Sequence, residues 1–171
     1  YKQISWIEAL SRKLMVLIMT DGLIEIRPVP ISELFSAVRD SLERQLKERN
    51  LHLITQDNGA CMLLDFDLMQ SAVVNLVTNA MKASSIGQTI EVLADEHGIE
   101  VKDYGIGIPS QDLNSVTEPF YMVDKSRAHQ NNSCGLGLSL VKSIVNAHGA
   151  QLVIRSMPGI GTTVRISWNS K

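Results

Sequence analysis

The chain has 171 residues, enough for one well-buried domain and too few for two ordinary ones with a linker between them. With 16 Lys and Arg against 18 Asp and Glu and a net charge of −2, it has no basic stripe for a nucleic-acid backbone or an anionic membrane surface, so neither is expected as a partner. Cys61 and Cys134 are the two cysteines; with 44% apolar residues the chain needs no disulfide staple, and both are read as reduced thiols of a cytoplasmic protein. The longest apolar run, 14–19, falls far short of the roughly 20 residues that span a bilayer. The first residue is Tyr1 and no signal-peptide pattern follows, so the sequence reads as a piece of something longer.

Residues 1–19 place Ile7, Leu10, Leu14 and Leu17 at steps of three and four, the narrow seam of a bundle or coiled-coil helix that needs a partner to cover it. Asp21 and Gly22 end that helix, and Pro28 and Pro30 force extended backbone. The expected division is therefore a helix remnant at 1–22, a linker at 23–30 and one domain at 31–171. A second helix is expected from Ser32, as its cap, to Arg49, with Leu34, Phe35, Val38, Leu42 and Leu46 on one face. Short strands are expected at 51–55 and 61–64, then a helix at 67–84. A hairpin follows at 90–94 and 99–103, turning at Glu96, His97 and Gly98. A helix at 135–147 leads to a second hairpin at 151–155 and 162–168 around Pro158, Gly159 and Gly161. Direct strand-turn-strand links interspersed with helices predict an α+β fold, a two-layer α/β sandwich with a mixed, mainly antiparallel sheet covered by helices on one face.

Four separated motifs carry the chemistry. Asn75, Asn79 and Lys82 are spaced four and then three apart, so one helix face presents two amides and an ammonium, groups able to grip a triphosphate. A neutral Asn carbonyl suits a hard cation such as Mg²⁺, which keeps several waters beside phosphate oxygens. The plain alternative for an isolated helix is a solvated polar face opposite Val73, Leu76 and Val77. D-Y-G-I-G-I begins at Asp103, where a strand-end carboxylate can accept from the exocyclic amine of adenine while Gly105 and Gly107 let backbone approach the base. E-P-F-Y begins at Glu118, and the polar stretch 121–134 after it has the length of a lid. G-L-G-L-S-L begins at Gly135 and opens a helix whose free N–H groups favour phosphate oxygens.

In this order the four motifs resemble the catalytic ATP-binding domain of two-component sensor histidine kinases, in the superfamily shared with gyrase, a heat-shock chaperone and mismatch-repair ATPases. The resemblance covers about residues 30–169 and implies the Bergerat-type ATP-binding fold, with ATP and Mg²⁺ bound. It implies Asn79 as the Mg²⁺ ligand, Asn75 and Lys82 on the phosphates and their water shell, and Lys125 and Arg127 of the lid as cations that neutralise charge during transfer. Asp103, Gly105, Gly107, Ile108, Phe120, Tyr121, Gly135, Leu136, Gly137, Leu138 and Thr162 complete the implied ATP site, Thr162 helping to hold adenine. Residues 1–20 match, less specifically, the second helix of the family's dimerisation and phosphotransfer domain. The implied activity is transfer of the γ-phosphoryl group to a histidine on that domain, in a homodimer, for relay to a response regulator. Full-length relatives are commonly anchored in a membrane.

Several residues test that expectation. Gyrase-like and chaperone-like relatives carry a glutamate base where Asn75 stands, and an amide cannot activate water. None of His52, His97, His129 and His148 lies in a phosphoacceptor pattern, so the accepting histidine is expected outside this chain. Asn132, Ser133 and Cys134 replace glycines common in relatives and Met122 replaces a basic residue, which keeps open a module that binds ATP without transferring it. A serine-kinase anti-sigma factor shares the fold, and the seam at 1–19 argues against it.

Overall fold

The computed structural model describes residues 24–123 and 135–168. Its elements run β1 (Arg27–Pro30), α1 (Ile31–Glu48), β2 (His52–Gln56), β3 (Cys61–Leu64), α2 (Phe66–Ala83), β4 (Thr89–Asp95), β5 (Gly98–Asp103), α3 (Gly137–Ala147), β6 (Gln151–Met157) and β7 (Gly161–Ser167). Five strands form one sheet in the order β2-β4-β5-β7-β6, in which β2 and β4 are parallel and every other pair is antiparallel. β1 and β3 form a separate antiparallel pair.

One face of the sheet is covered. Ile90, Val92 and Ala94 of β4, Ile99 and Val101 of β5, and Val164 and Ile166 of β7 are buried at alternate positions, as the period of a strand requires. Against them pack Met69, Val73, Leu76 and Val77 of α2 and Leu140, Val141, Ile144 and Val145 of α3, and α1 adds Leu34, Phe35, Val38 and Leu42 to the same cluster. Burial of each such side chain contributes roughly 1.5–3 kcal/mol, so this cluster dominates the stability of the layer. The opposite face carries ion pairs: Arg165 lies 2.8 Å from Asp95 and 3.9 Å from Glu100, and Lys102 lies 4.0 Å from Glu91. The hydrogen-bonded Arg165 guanidinium holds the Asp95 carboxyl below its ordinary range. The expected two-layer sandwich with a mixed, mainly antiparallel sheet is the observed architecture.

Local boundaries differ from expectation where distant contacts decide them. Ser32 lies inside α1 and does not cap it. Pro30 holds the cap position with φ −62° and ψ 126°, and the Ile31 N–H donates to the Ala60 carbonyl at 2.9 Å, so a loop far along the chain satisfies the helix start. Residues 27–30, within the stretch expected as a linker, pair with β3 as a strand. The α2 helix starts from Asp65, whose side chain accepts from the Leu68 N–H at 3.1 Å and whose own N–H donates to His148 Nε2 at 2.9 Å, tying the end of α3 to the start of α2. The seam expected at 1–19 lies outside the described residues.

Candidate functional site

The amphipathic pattern of α2 buries Val73, Leu76, Val77 and Ala80 and turns Asn75, Asn79 and Lys82 toward a cavity of about 560 Å³ beside the sheet. The Asn75 Nδ2 donates to the Ser71 carbonyl at 2.7 Å, which fixes the amide with its carbonyl oxygen free of that bond. Opposite these amides stands the first turn of α3: a Cβ placed on Gly137 would lie 3.4 Å from Asn79 Nδ2 and 3.5 Å from Asn75 Oδ1. The N-terminal N–H groups of α3 therefore open onto the same space as the two amides. A helix N-terminus of this kind attracts phosphate oxygens.

The far end of the cavity is built by the sheet. Register places Asp103 of β5 opposite Thr162 of β7, and Thr162 opposite Ser156 of β6, so three neighbouring strands align three polar side chains on the covered face. Asp103 is 6% exposed and Thr162 is 8% exposed, among an otherwise apolar layer. The Asp103 Oδ1 accepts from the Gly105 N–H at 2.9 Å and from the Thr162 N–H at 3.2 Å. Both donors use one oxygen, which leaves Oδ2 for whatever fills the cavity. Loss of hydration on burial raises the carboxyl above its ordinary range, and those two N–H bonds partly offset the rise.

Glycine is required at two points of the loop after β5. A Cβ on Gly105 would fall 2.3 Å from the Ala83 carbonyl oxygen at the end of α2, and one on Gly107, at φ +70°, would fall 2.2 Å from the Met157 carbonyl oxygen. No side chain fits either place, so this loop threads between α2 and the β6–β7 hairpin. Ile106 accepts from the Gly159 N–H at 2.8 Å and donates to the Ala83 carbonyl at 3.1 Å, which pins the loop from both sides.

The cavity gathers Asn75, Asn79, Lys82, Asp103, Gly107, Ile108, Tyr121, Gly135, Leu136, Gly137, Leu138 and Thr162 from stretches far apart in sequence. Two expected contributors do not line it. Gly105 sits behind the wall against Ala83, and Phe120 is 64% exposed with φ +65°. Lys125 and Arg127 lie outside the described residues. Val116, Met122 and Pro158 add apolar wall that the motifs do not announce. The Tyr121 hydroxyl donates to Asp112 Oδ1 at 2.5 Å, which raises the phenol above its ordinary range and orients the ring at the cavity edge.

Sequence reasoning missed Ser156. It accepts from the Ile108 N–H at 2.8 Å, contacts the Gly161 carbonyl at 2.9 Å and meets the Thr162 hydroxyl at 2.8 Å. The signal was present in the hairpin: pairing residues 157 and 161 across the Pro158-Gly159-Ile160 turn places 156 opposite 162.

Among the described residues no group of three or more His, Cys, Asp or Glu side chains is placed to hold a metal ion, and no helix is long and apolar enough to cross a membrane. Cys61 is an exposed free cysteine.

Residues 64–171 match the family model for histidine kinase-, DNA gyrase B- and HSP90-like ATPases. The phosphate regulon sensor protein PhoR of Pseudomonas aeruginosa is 37% identical over 80% of this chain and 32% of its own length. The sensor histidine kinase WalK of Bacillus subtilis is 35% identical over 80% of this chain and 23% of its own length. This chain thus spans a third or less of those relatives. The solved structure of the Acinetobacter baumannii histidine kinase AdeS superposes with a TM-score of 0.78 at 19% identity, covering 99% of this chain and 82% of that one, a likeness of fold.

Proposed function

Since the chain belongs to the family of histidine kinase-, DNA gyrase B- and HSP90-like ATPases, and its relatives include sensor histidine kinases, we propose that it is the ATP-binding catalytic domain of such a kinase. In this reading it presents the γ-phosphoryl group of Mg·ATP to a histidine on a dimerisation domain outside residues 24–168, for relay to a response regulator. The observation that carries the reading is one cavity with an adenine-type end at Asp103 and Thr162 and a phosphate-type end at Asn75, Asn79, Lys82 and the α3 N-terminus.

Each residue then has a task. Asp103 accepts from the adenine amine, and the loop through Gly107 lies against the base. Asn75, Lys82 and the first N–H groups of α3 hold the phosphate chain so that its terminal group faces outward. The Asn79 side chain has no hydrogen-bond partner among the described residues, so its carbonyl oxygen is uncommitted in the cavity. One neutral oxygen beside phosphates is a donor set that fits Mg²⁺, and the absence of a carboxylate cage among the described residues agrees with a cation held mainly by nucleotide and water. Bound there, Mg²⁺ would neutralise phosphate charge during transfer. Asn75 cannot act as a base toward water, so the bound nucleotide is held for an incoming nucleophile rather than hydrolysed.

The test supplies this chain with a separate bundle domain carrying a phosphoacceptor histidine and follows acid-labile phosphate from γ-labelled ATP. Labelled histidine that disappears with Asn79→Ala supports the reading. Saturable ATP binding with no phosphohistidine would instead make the chain an ATP-sensing module, the alternative raised by Asn132, Ser133 and Cys134 in place of glycines.

A further inference from the structure

We propose that Ser156 is a positioning residue that locks the Thr162 hydroxyl as a hydrogen-bond acceptor, so that Asp103 and Thr162 together select a purine bearing an amino group over one bearing a carbonyl. The inference rests on the reading of the cavity as an adenine-nucleotide site.

A serine hydroxyl has one proton to donate and two lone pairs to accept with. Three groups surround Ser156 Oγ at hydrogen-bond distance: the Ile108 N–H at 2.8 Å, the Gly161 carbonyl at 2.9 Å and the Thr162 hydroxyl at 2.8 Å. The Ile108 N–H can only donate and the Gly161 carbonyl can only accept. The single serine proton must therefore point at Gly161, since the reverse would set two oxygens 2.9 Å apart with no proton between them. Thr162 is left to donate its proton to Ser156, and every capacity of Ser156 is filled.

The consequence falls on the cavity. Ser156 does not line it, but Thr162 does, and a threonine whose proton is committed behind the wall offers only lone pairs in front. The neighbouring Asp103 is also an acceptor, with Oδ1 engaged by two N–H groups, one of them from Thr162 itself. Two adjacent acceptors match the two protons of an exocyclic amine and oppose a carbonyl at the same position. Released from Ser156, the Thr162 hydroxyl can rotate and donate to that carbonyl, and half of the discrimination disappears while the aspartate remains. Ser156 also fastens the Ile108 backbone of the glycine loop, so one side chain of β6 sets the separation and the polarity of both sides of the base site.

The experiment is calorimetric titration of the whole chain with Mg·ATP and with Mg·ITP, whose base carries a carbonyl in place of the amine. Ser156→Ala is expected to reduce the ATP-to-ITP affinity ratio about tenfold, the worth of one hydrogen bond of reversed polarity. Thr162→Val is expected to reduce it similarly, and the double variant no further than Thr162→Val alone, because both act through one hydroxyl. Ser156→Cys, which fills the same space with a weak hydrogen-bonding group, should move the ratio the same way and covers the case in which alanine impairs folding. Equal losses for ATP and ITP, with the ratio unchanged, overturn the inference alone by making Ser156 a structural strut. A wild-type chain that binds neither nucleotide overturns the adenine-site reading and this inference together.

Discussion

Replacing Asp103 by asparagine separates what this carboxylate does for the ligand from what it costs the fold. In Asp103→Asn the retained carbonyl oxygen must still accept from the Gly105 and Thr162 N–H groups, at 2.9 and 3.2 Å in the parent, so the new Nδ2 takes the place of Oδ2. An N–H donor then faces the amine of adenine. Losing a hydrogen bond to a charged acceptor is worth about 1.5–3 kcal/mol, which weakens ATP binding roughly 10- to 100-fold. Stability should move the other way. Burial raises the folded-state carboxyl above 3.8, so between that value and the raised one the folded state binds more protons than the unfolded chain, and stability falls as pH rises through the window. Above that window the penalty of a buried charge is fully present, and asparagine removes it. The variant is thus expected to melt higher than the parent at neutral pH, with the difference shrinking as pH falls to 3.8 and below. Calorimetric titration with ATP and thermal unfolding across pH give both readouts. Unchanged ATP affinity, or a variant less stable at neutral pH, would refute the assigned geometry.

Three further substitutions probe other links. Asn79→Ala removes the uncommitted carbonyl oxygen, so ATP affinity measured with and without Mg²⁺ should become nearly equal; a Mg²⁺ dependence like that of the parent contradicts the ligand assignment. Gly107→Ala places a methyl 2.2 Å from the Met157 carbonyl oxygen at φ +70°, and the conformation alone costs about 1–2 kcal/mol, so both the melting temperature and ATP affinity should fall. Leu42→Ala, at a side chain 1% exposed in α1 and absent from the cavity wall, should cost roughly 2–5 kcal/mol in urea unfolding and leave the ATP affinity of the folded protein unchanged.

What the sequence discloses and what it withholds divide along the range of the interactions. Helix faces follow from spacing, so Leu34, Phe35, Val38, Leu42 and Leu46 are buried as expected, and Asn75, Asn79 and Lys82 share the cavity because steps of three and four keep them on one side of α2. Asp103 was legible as a strand-end carboxylate followed by glycines. The start of α1 was not, because the partner of its first N–H is the carbonyl of Ala60, in a loop far along the chain. The pairing of residues 27–30 with β3 was hidden for the same reason: the prolines announced extended backbone, but not the strand that meets it. Gly105 is expected to let backbone approach the base, whereas its missing side chain is explained by the passing end of α2. The hairpin register alone sets Ser156 opposite Thr162, but the β5 strand beside Thr162 and the Ile108 N–H that reaches Ser156 are tertiary facts, so the contacts of Ser156 were only partly legible.

The central claim is that one cavity recognises adenine at one end and phosphate at the other. Titrating the whole chain with Mg·ATP and then with Mg·GTP tests it most directly. Saturable one-site binding of ATP, with GTP far weaker because its carbonyl would face the Asp103 carboxylate, is the predicted result. Equal affinity for the two nucleotides, or no heat with ATP at any concentration, would contradict it.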